Sequence, residues 1–311
     1  MKQISGIVVR RLIILVGLLW LPLSIAEAAT VTLACNAKNT IGNAVKKLKP
    51  GDTLSVTGTC NENLLIPEET VRVVLDGQGT ATIKGPDTSI PTVIVNGRGI
   101  TIKGFTITGG RDGIVLSRGG QAVIDRNTIQ GTGRIGLQVN QSSFAVIVNN
   151  TIQNNPTNGI SIGGSSYAII GILTGLDKTA SLNTIQNNGS NGISVQRSSN
   201  ARITGNTIRN NKLNGVIVSR ASQADITSST IDGNGMSGID VSQNSSVQLG
   251  ADKGTGIFES PNTTTDGNAQ VGIKCTVNSS ADGRIGTVNG KNGAKDFDAS
   301  CVDSLLTSPA I

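Results

Sequence analysis

Residues 183–205 read NTIQNNGSNGISVQRSSNARITG, and residues 206–228 follow without a gap as NTIRNNKLNGVIVSRASQADITS. This 23-residue repetition limits the possible folds more than any other feature of the chain. Aligned on Gly113, Gly136, Gly159, Gly192, Gly215, Gly238 and Gly272, it runs through the middle of the sequence with spacings of 23, 23, 33, 23, 23 and 34. A fixed period of this size means a solenoid, a propeller or an array. The two long steps mark insertions in two of the copies.

Each copy holds three short apolar alternations, in the first one NTI, GISV and ARI, separated by polar turns. Period-two alternation rich in Ile and Val specifies strand. Three short strands per copy are too few for a four-stranded propeller blade. They suit one coil of a parallel β-helix, with coils stacked about 4.8 Å apart. Stacking then sets like on like: Ile129, Ile152, Ile185, Ile208 and Ile231 in one inward column, and Ile114, Leu137, Ile160, Ile193, Val216, Ile239 and Ile273 in a second. Ala122, Ala145, Ala168, Ala201 and Ala224 form a third, where the interior must be narrow. Each buried aliphatic contributes roughly 1.5–3 kcal/mol. Such a core needs no rings, which fits an aromatic content of 2%. Asn127, Asn150, Asn183 and Asn206 share one turn, and Asn158, Asn191 and Asn214 another. Stacked amides can hydrogen-bond along the axis, and Asn tolerates left-handed geometry. A structural ladder is therefore expected, although NNT and NTT also match the glycan-acceptor pattern.

The chain begins with Lys2, Arg10 and Arg11, then an apolar run from Leu12 to Ala26 and the small-residue site Ala26-Glu27-Ala28. This is the pattern of a secretory signal peptide; the run falls short of the roughly 20 residues a membrane span needs. Residues 1–28 are therefore expected to be removed, and the protein to be secreted or periplasmic, with no membrane span after cleavage. Loss of three basic residues and Glu27 lowers the net charge from +6 to +4. With no basic run and few rings to stack bases, nucleic acid is not an expected partner.

In residues 39–66, Asn39 or Thr40 can cap a short helix whose apolar face is Ile41, Val45 and Leu48, ended by Pro50-Gly51. A solenoid must cover its open first coil, and this helix is expected to do so. The expected organisation is a signal peptide over 1–28, a cap over 29–52, the solenoid over 53–301 in about nine or ten coils, and a tail over 302–311. Export makes disulfides plausible. Bridged Cα atoms lie within about 7 Å, so a rod of this length allows only Cys35–Cys60 at one end and Cys275–Cys301 at the other.

The segment TIGNAVKKLKPGDTLSVTG resembles the N-terminal cap of the pectin-lyase-like superfamily, and the repeats resemble its parallel β-helix repeat. The resemblance covers nearly all of residues 39–301 and implies an all-β, right-handed parallel β-helix with an N-terminal α-helical cap. It does not imply one chemistry, because function lies in the site and not in the fold.

The chain contains no histidine. That excludes Ser-His-Asp and Cys-His arrangements and His-based metal sites. The histidine element of the superfamily's polygalacturonases is absent, and neither the calcium aspartates nor the arginine stretch of its pectate lyases has a counterpart. Neither metal nor cofactor is expected. GTGRIG, residues 131–136, sits inside the repeat with no helix after it, so its glycines read as turn residues and not as a dinucleotide loop.

The remaining candidate surface is the outer side of the GISV strands. One outward column is Val115, Gln138, Ser161, Ser194, Ile217, Asp240 and Lys274; the next is Ser117, Asn140, Gly163, Gln196, Ser219, Ser242 and Thr276; Arg118, Arg197 and Arg220 lie just beyond. Hydroxyls, amides and a few arginines could hold a sugar chain, especially an acidic one. Superfamily members place carbohydrate sites on this face, which supports a binding surface made of Gln138, Asn140, Ser161, Ser194, Gln196, Arg197, Ser219, Arg220, Asp240 and Lys274. Three readings follow: a non-catalytic protein that binds polysaccharide or acts in the cell envelope, a lyase-type enzyme with Lys274 or Arg220 as base on a uronate, and a structural rod. A hydrolase needs two carboxylates about 5–10 Å apart, and Asp240 has no carboxylate beside it in its column. Asp240–Lys274 and Arg202–Asp225 read as cross-strand ion pairs. The insertions at 171–181 and 250–260 leave the same corner and are expected to cover an apolar side of the rod through Leu173, Leu176, Ile257 and Phe258.

Overall fold

The computed structural model describes residues 28–36, 38–174, 177, 179–250, 260–284, 286–291 and 301. Residues 1–27 of the expected signal segment, the tail from 302, Leu176, Ile257 and Phe258 lie outside the described residues. The chain winds through a solenoid of about nine turns, and every strand pairing in it is parallel. Three faces wrap one thin core. Face A takes the ARI segments, such as Ala145 within Phe144–Val148. Face B takes the GISV segments, in nine strands among the described residues, from Leu64–Ile66 to Ile273–Thr276. Face C takes the NTI segments, such as Thr184–Gln186. Two longer strands, Val74–Gly85 and Ile100–Gly109, turn the corner from face A to face C, their register shifting between Asp76 and Ala81.

The repeat sets the register. Ile129, Ile152, Ile185, Ile208 and Ile231 are successive partners on face C. The column from Ile114 to Ile273 is continuous on face B, and Ala122 to Ala224 on face A. All of these inward residues are buried in one cluster. The glycine column that marks the period is explained by close approach. A Cβ on Gly192 would lie 2.5 Å from Ile208 Cγ2 and 2.7 Å from the Gly215 carbonyl oxygen, distances that no side chain can share.

The asparagines form buried hydrogen-bonded ladders. Asn183 Oδ1 accepts from the backbone N–H of Asn150 at 2.9 Å and from its Nδ2 at 3.0 Å, while Asn183 Nδ2 donates to Asn206 Oδ1 and to the Ile147 carbonyl. The left-handed residue is not the ladder asparagine but the one before it: Arg126, Asn149, Asn154, Asn187 and Asn210 have φ between 54° and 57°. That bend turns the following amide into the interior. A second ladder, which the sequence reading did not separate, runs through Asn155, Asn188, Asn211, Asn234 and Asn268. The Asn158–Asn191–Asn214 ladder runs the other way, each amide donating to the preceding coil.

The N-terminal helix spans Ile41–Val45. Thr40 is its N-cap, its hydroxyl accepting from Asn43 N, and Glu62 accepts from the N–H groups of Ile41 and Gly42. The helix stops well before Pro50-Gly51, and Leu48 packs on the core from outside it. Stacking also begins earlier than residue 53: Thr30–Ala34 pairs in register with Thr53–Thr57, so a strand with no recognisable repeat motif still joins face A. Disulfides join Cys35 to Cys60 and Cys275 to Cys301, with Cα separations of 5.0 and 5.3 Å. No helix among the described residues is long and apolar enough to cross a membrane.

Candidate functional site

Face B carries its outward residues in the expected columns. Gln138 lies between Val115 and Ser161, Ser194 between Ser161 and Ile217, and Asp240 between Ile217 and Lys274. The columns are less exposed than a flat outer surface would be. Ser161 is 3% and Ser194 5% exposed, two short hydroxyls side by side between the longer Gln138 and Ile217. The result is an open groove across several coils, lined by Asn158, Ser190, Asn191, Ser194, Gln196, Ile217, Ser219, Arg220, Ser242 and Gln243.

The groove brings together Ser194, Gln196, Ser219 and Arg220 of the candidate surface. Gln138, Asn140 and Ser161 continue it toward the N-terminal end, and Asp240 and Lys274 toward the other. Asn158, Ser190, Asn191 and Gln243 were not expected in it. Asn158 and Asn191 are visible in the sequence only as ladder residues, and the ladder edge proves to form one wall of the groove. Arg118, Arg197 and Arg220 occupy the opposite corner with φ of 53°, 59° and 58°. The same left-handed turn recurs at this corner in Gln141, Ser165, Gln243 and Val277, so it belongs to the geometry of the coil. The bend carries the arginines outward, where Arg220 donates to Gln196 Oε1 at 3.5 Å.

Asp240 is 9% exposed. Burial pushes its carboxyl above its ordinary value, and the charge of Lys274 on the next coil opposes this only in part. The expected ion pair between them is not formed: among the described residues no salt bridge joins them. They share a register, but partial burial of one and the reach of the other keep the charges apart. Arg202 and Asp225 are register partners on face A.

A buried charged group that sequence reasoning missed lies at the edge of the same face. The side chain of Asp112 is fully buried and accepts from Arg134 Nε and Nη2, both at 2.9 Å, from Arg111 Nε at 3.0 Å and from Ile135 N. Burial alone would raise its carboxyl, but the two arginines outweigh it and hold it below its ordinary value. Asp112 precedes Gly113 as Asn158 precedes Gly159, so it begins the same wall as the Asn158 ladder with a charged group. The GTGRIG segment runs through this corner, where Arg134 supplies the ion pair and Gly131 has φ 60°.

The first insertion follows Ile170 and the second follows Leu249, positions in one face A column. Leu173, expected to cover an apolar side, is 48% exposed, whereas Ile172 beside it is buried.

Solved structures share this architecture at low identity. The mannuronan C-5 epimerase AlgE4 A-module of Azotobacter vinelandii is 16% identical with a TM-score of 0.54, over 86% of this chain and 94% of that one. Pectate lyase Pel9A is 14% identical with a TM-score of 0.54, over 82% and 79%. A double mutant of the periplasmic alginate epimerase AlgG is 12% identical with a TM-score of 0.53, over 90% and 82%. At such identities the likeness is one of fold. No curated protein sequence matches this chain significantly. The model of the right handed beta helix region matches residues 73–173 and 170–296, and the chain belongs to that family.

Proposed function

We propose that this is an extracytoplasmic β-helix protein that binds an acidic polysaccharide along face B without transforming it. The observation that carries this reading is the open polar groove running across coils, with arginines at one corner and apolar Ile217 on its floor. Coils about 4.8 Å apart advance by roughly the length of one sugar unit in an extended chain. Successive coils can therefore offer successive sugars a hydroxyl or amide from the floor, and the coils of Arg118, Arg197 and Arg220 add a guanidinium from the corner. Guanidinium groups suit carboxylates through paired hydrogen bonds. The two disulfides fit an oxidising compartment and agree with the N-terminal signal pattern. The division into signal, cap, solenoid and tail belongs to the same proposal.

Affinity electrophoresis in gels containing pectate or alginate tests this. Retardation should weaken with added salt and be largely lost in an Arg197→Ala/Arg220→Ala variant. Equal mobility in acidic and empty gels would refute the reading.

A second reading is favoured by one observation. Asp240 is a mostly buried carboxyl raised above its ordinary value beside Lys274, and perturbed groups in clefts are candidates for proton transfer. The similar structures are a pectate lyase and alginate or mannuronan epimerases. If the groove acts on a uronate, incubation with alginate or pectate yields either an unsaturated, ultraviolet-absorbing product or an altered epimer ratio by NMR, and Lys274→Ala abolishes it.

A further inference from the structure

We propose that face A carries a second carbohydrate site, for an uncharged pyranose chain, centred on Tyr167 and Phe144. It does not depend on the groove of face B. Rings are scarce in this chain, which holds four Phe and one Tyr besides Trp20. A thin aliphatic core has no use for them, and among the described residues only Phe105 is spent there. Phe144 and Tyr167 instead sit on the outer side of face A as register partners on adjacent coils, their centroids 5.7 Å apart and planes 19° from parallel.

Tyr167 is 40% exposed. Its partner on the following coil is Asn200, so among the described residues no second ring covers its other side. Val146 and Ile169 flank the pair in the next outward column, and that column turns polar at Arg202 and Asp225. Two apolar coils thus meet two polar coils at a sharp boundary. Sugar rings have the matching form. Their C–H faces pack on aromatic rings, and their hydroxyls accept from and donate to planar amide, guanidinium and carboxylate groups.

Charge selects among ligands. Arg202 and Asp225 are opposite charges on adjacent coils; burial raises the Tyr167 hydroxyl above its ordinary value, with Arg202 lowering it and Asp225 raising it. The rim is therefore neutral overall. A uronate carboxylate near Tyr167 would meet Arg202 on the adjacent coil and Asp225 on the one beyond, so it gains no net attraction from this rim, and the ring pair is left to hold the sugar by its apolar face.

The single tyrosine gives a direct probe. The full-length chain labelled with 13C-tyrosine shows ring resonances from Tyr167 alone. Titration with cellohexaose, xylohexaose or chitohexaose should shift them saturably for at least one sugar, and hexagalacturonate should not. By calorimetry, Tyr167→Ala should weaken that binding by about tenfold or more, with Tyr167→Phe binding more tightly than Tyr167→Ala. The wild-type titration stands even if a variant fails to fold. No shift with any neutral hexasaccharide, an equal shift with hexagalacturonate, or unchanged affinity in a folded Tyr167→Ala would overturn the proposal. So would a shift that follows protein concentration instead of sugar, which would mark the patch as a contact between copies of the chain.

Discussion

Replacing Asn183 tests the ladder at its most connected point. Asn183 Oδ1 is the acceptor for the backbone N–H of Asn150, and Asn183 Nδ2 donates to Asn206 Oδ1 at 2.9 Å and to the Ile147 carbonyl at 2.8 Å, all buried. In Asn183→Ala the Asn150 N–H is left buried and unsatisfied, which costs about 1–3 kcal/mol, and two donated bonds vanish at about 0.5–1.5 kcal/mol each. The other affected groups keep partners: Asn150 Nδ2 still donates to Ile124 and Val148, and the Ile147 carbonyl still accepts from Gly171 N. The total is about 2–6 kcal/mol. The chain contains its own control. Ser229 follows Asn206 in this ladder, and its hydroxyl accepts from Asn206 N at 3.2 Å. Serine can therefore satisfy the backbone donor but cannot span to the carbonyl of the coil before. Asn183→Ser should cost about 1–3 kcal/mol, the two donated bonds alone. Stacked coils unfold piecewise, so a global midpoint is a blunt measure. Hydrogen exchange at the Thr184 amide, bonded to the Asn150 carbonyl at 2.8 Å, reads the local loss. A loss near 3 kcal/mol accelerates exchange about a hundredfold. If alanine and serine give equal exchange, or alanine leaves it unchanged, the ladder does not hold the coils and the argument fails.

Gly192→Ala places a Cβ against Ile208 and the Gly215 carbonyl; because the carbonyl belongs to a stacked coil and cannot swing aside, a loss of about 1–3 kcal/mol is expected in urea melts. Asp112 is held below its ordinary value in the folded state, so its contribution is present above the unfolded carboxylate value of about 3.9 and is lost as pH falls through the lower folded one. Asp112→Asn should lower Tm at neutral pH and flatten the acid limb of the Tm profile. Asp240 has the opposite sign: its folded value is raised, so the folded state binds the proton more tightly and stability falls as pH rises from about 3.9 through the raised value. Asp240→Asn should raise Tm at neutral pH, with the difference closing at acid pH, and an unchanged Tm at neutral pH would remove the desolvation argument.

What the sequence discloses and what it conceals follow from the same repeat. Ile185 predicts Ile208 because stacking places equivalent positions in contact, so a periodic chain displays its own contact map. The aliphatic columns, the Asn127 and Asn158 ladders, both disulfides and the place of the insertions were readable for that reason, while the Asn155 ladder was not separated from them. Thr30–Ala34 was not, because a terminal strand has only one neighbour and needs no copy of the motif to stack. Asp112 was hidden because its column continues as Ile135, Asn158, Asn191 and Asn214, so no second carboxylate recurs to mark it. The Asp240–Lys274 ion pair was misjudged because register fixes Cα neighbours while side-chain length and burial decide whether charges meet. The Phe144–Tyr167 stack lay within reach: the two are 23 residues apart, each just before a column alanine. Inward columns must repeat for the core to close, so their copies carry information about the fold. Outward columns are free to vary, and a change such as Ser194 to Ile217 to Asp240 within one of them is where a function, unlike a fold, has room to be written.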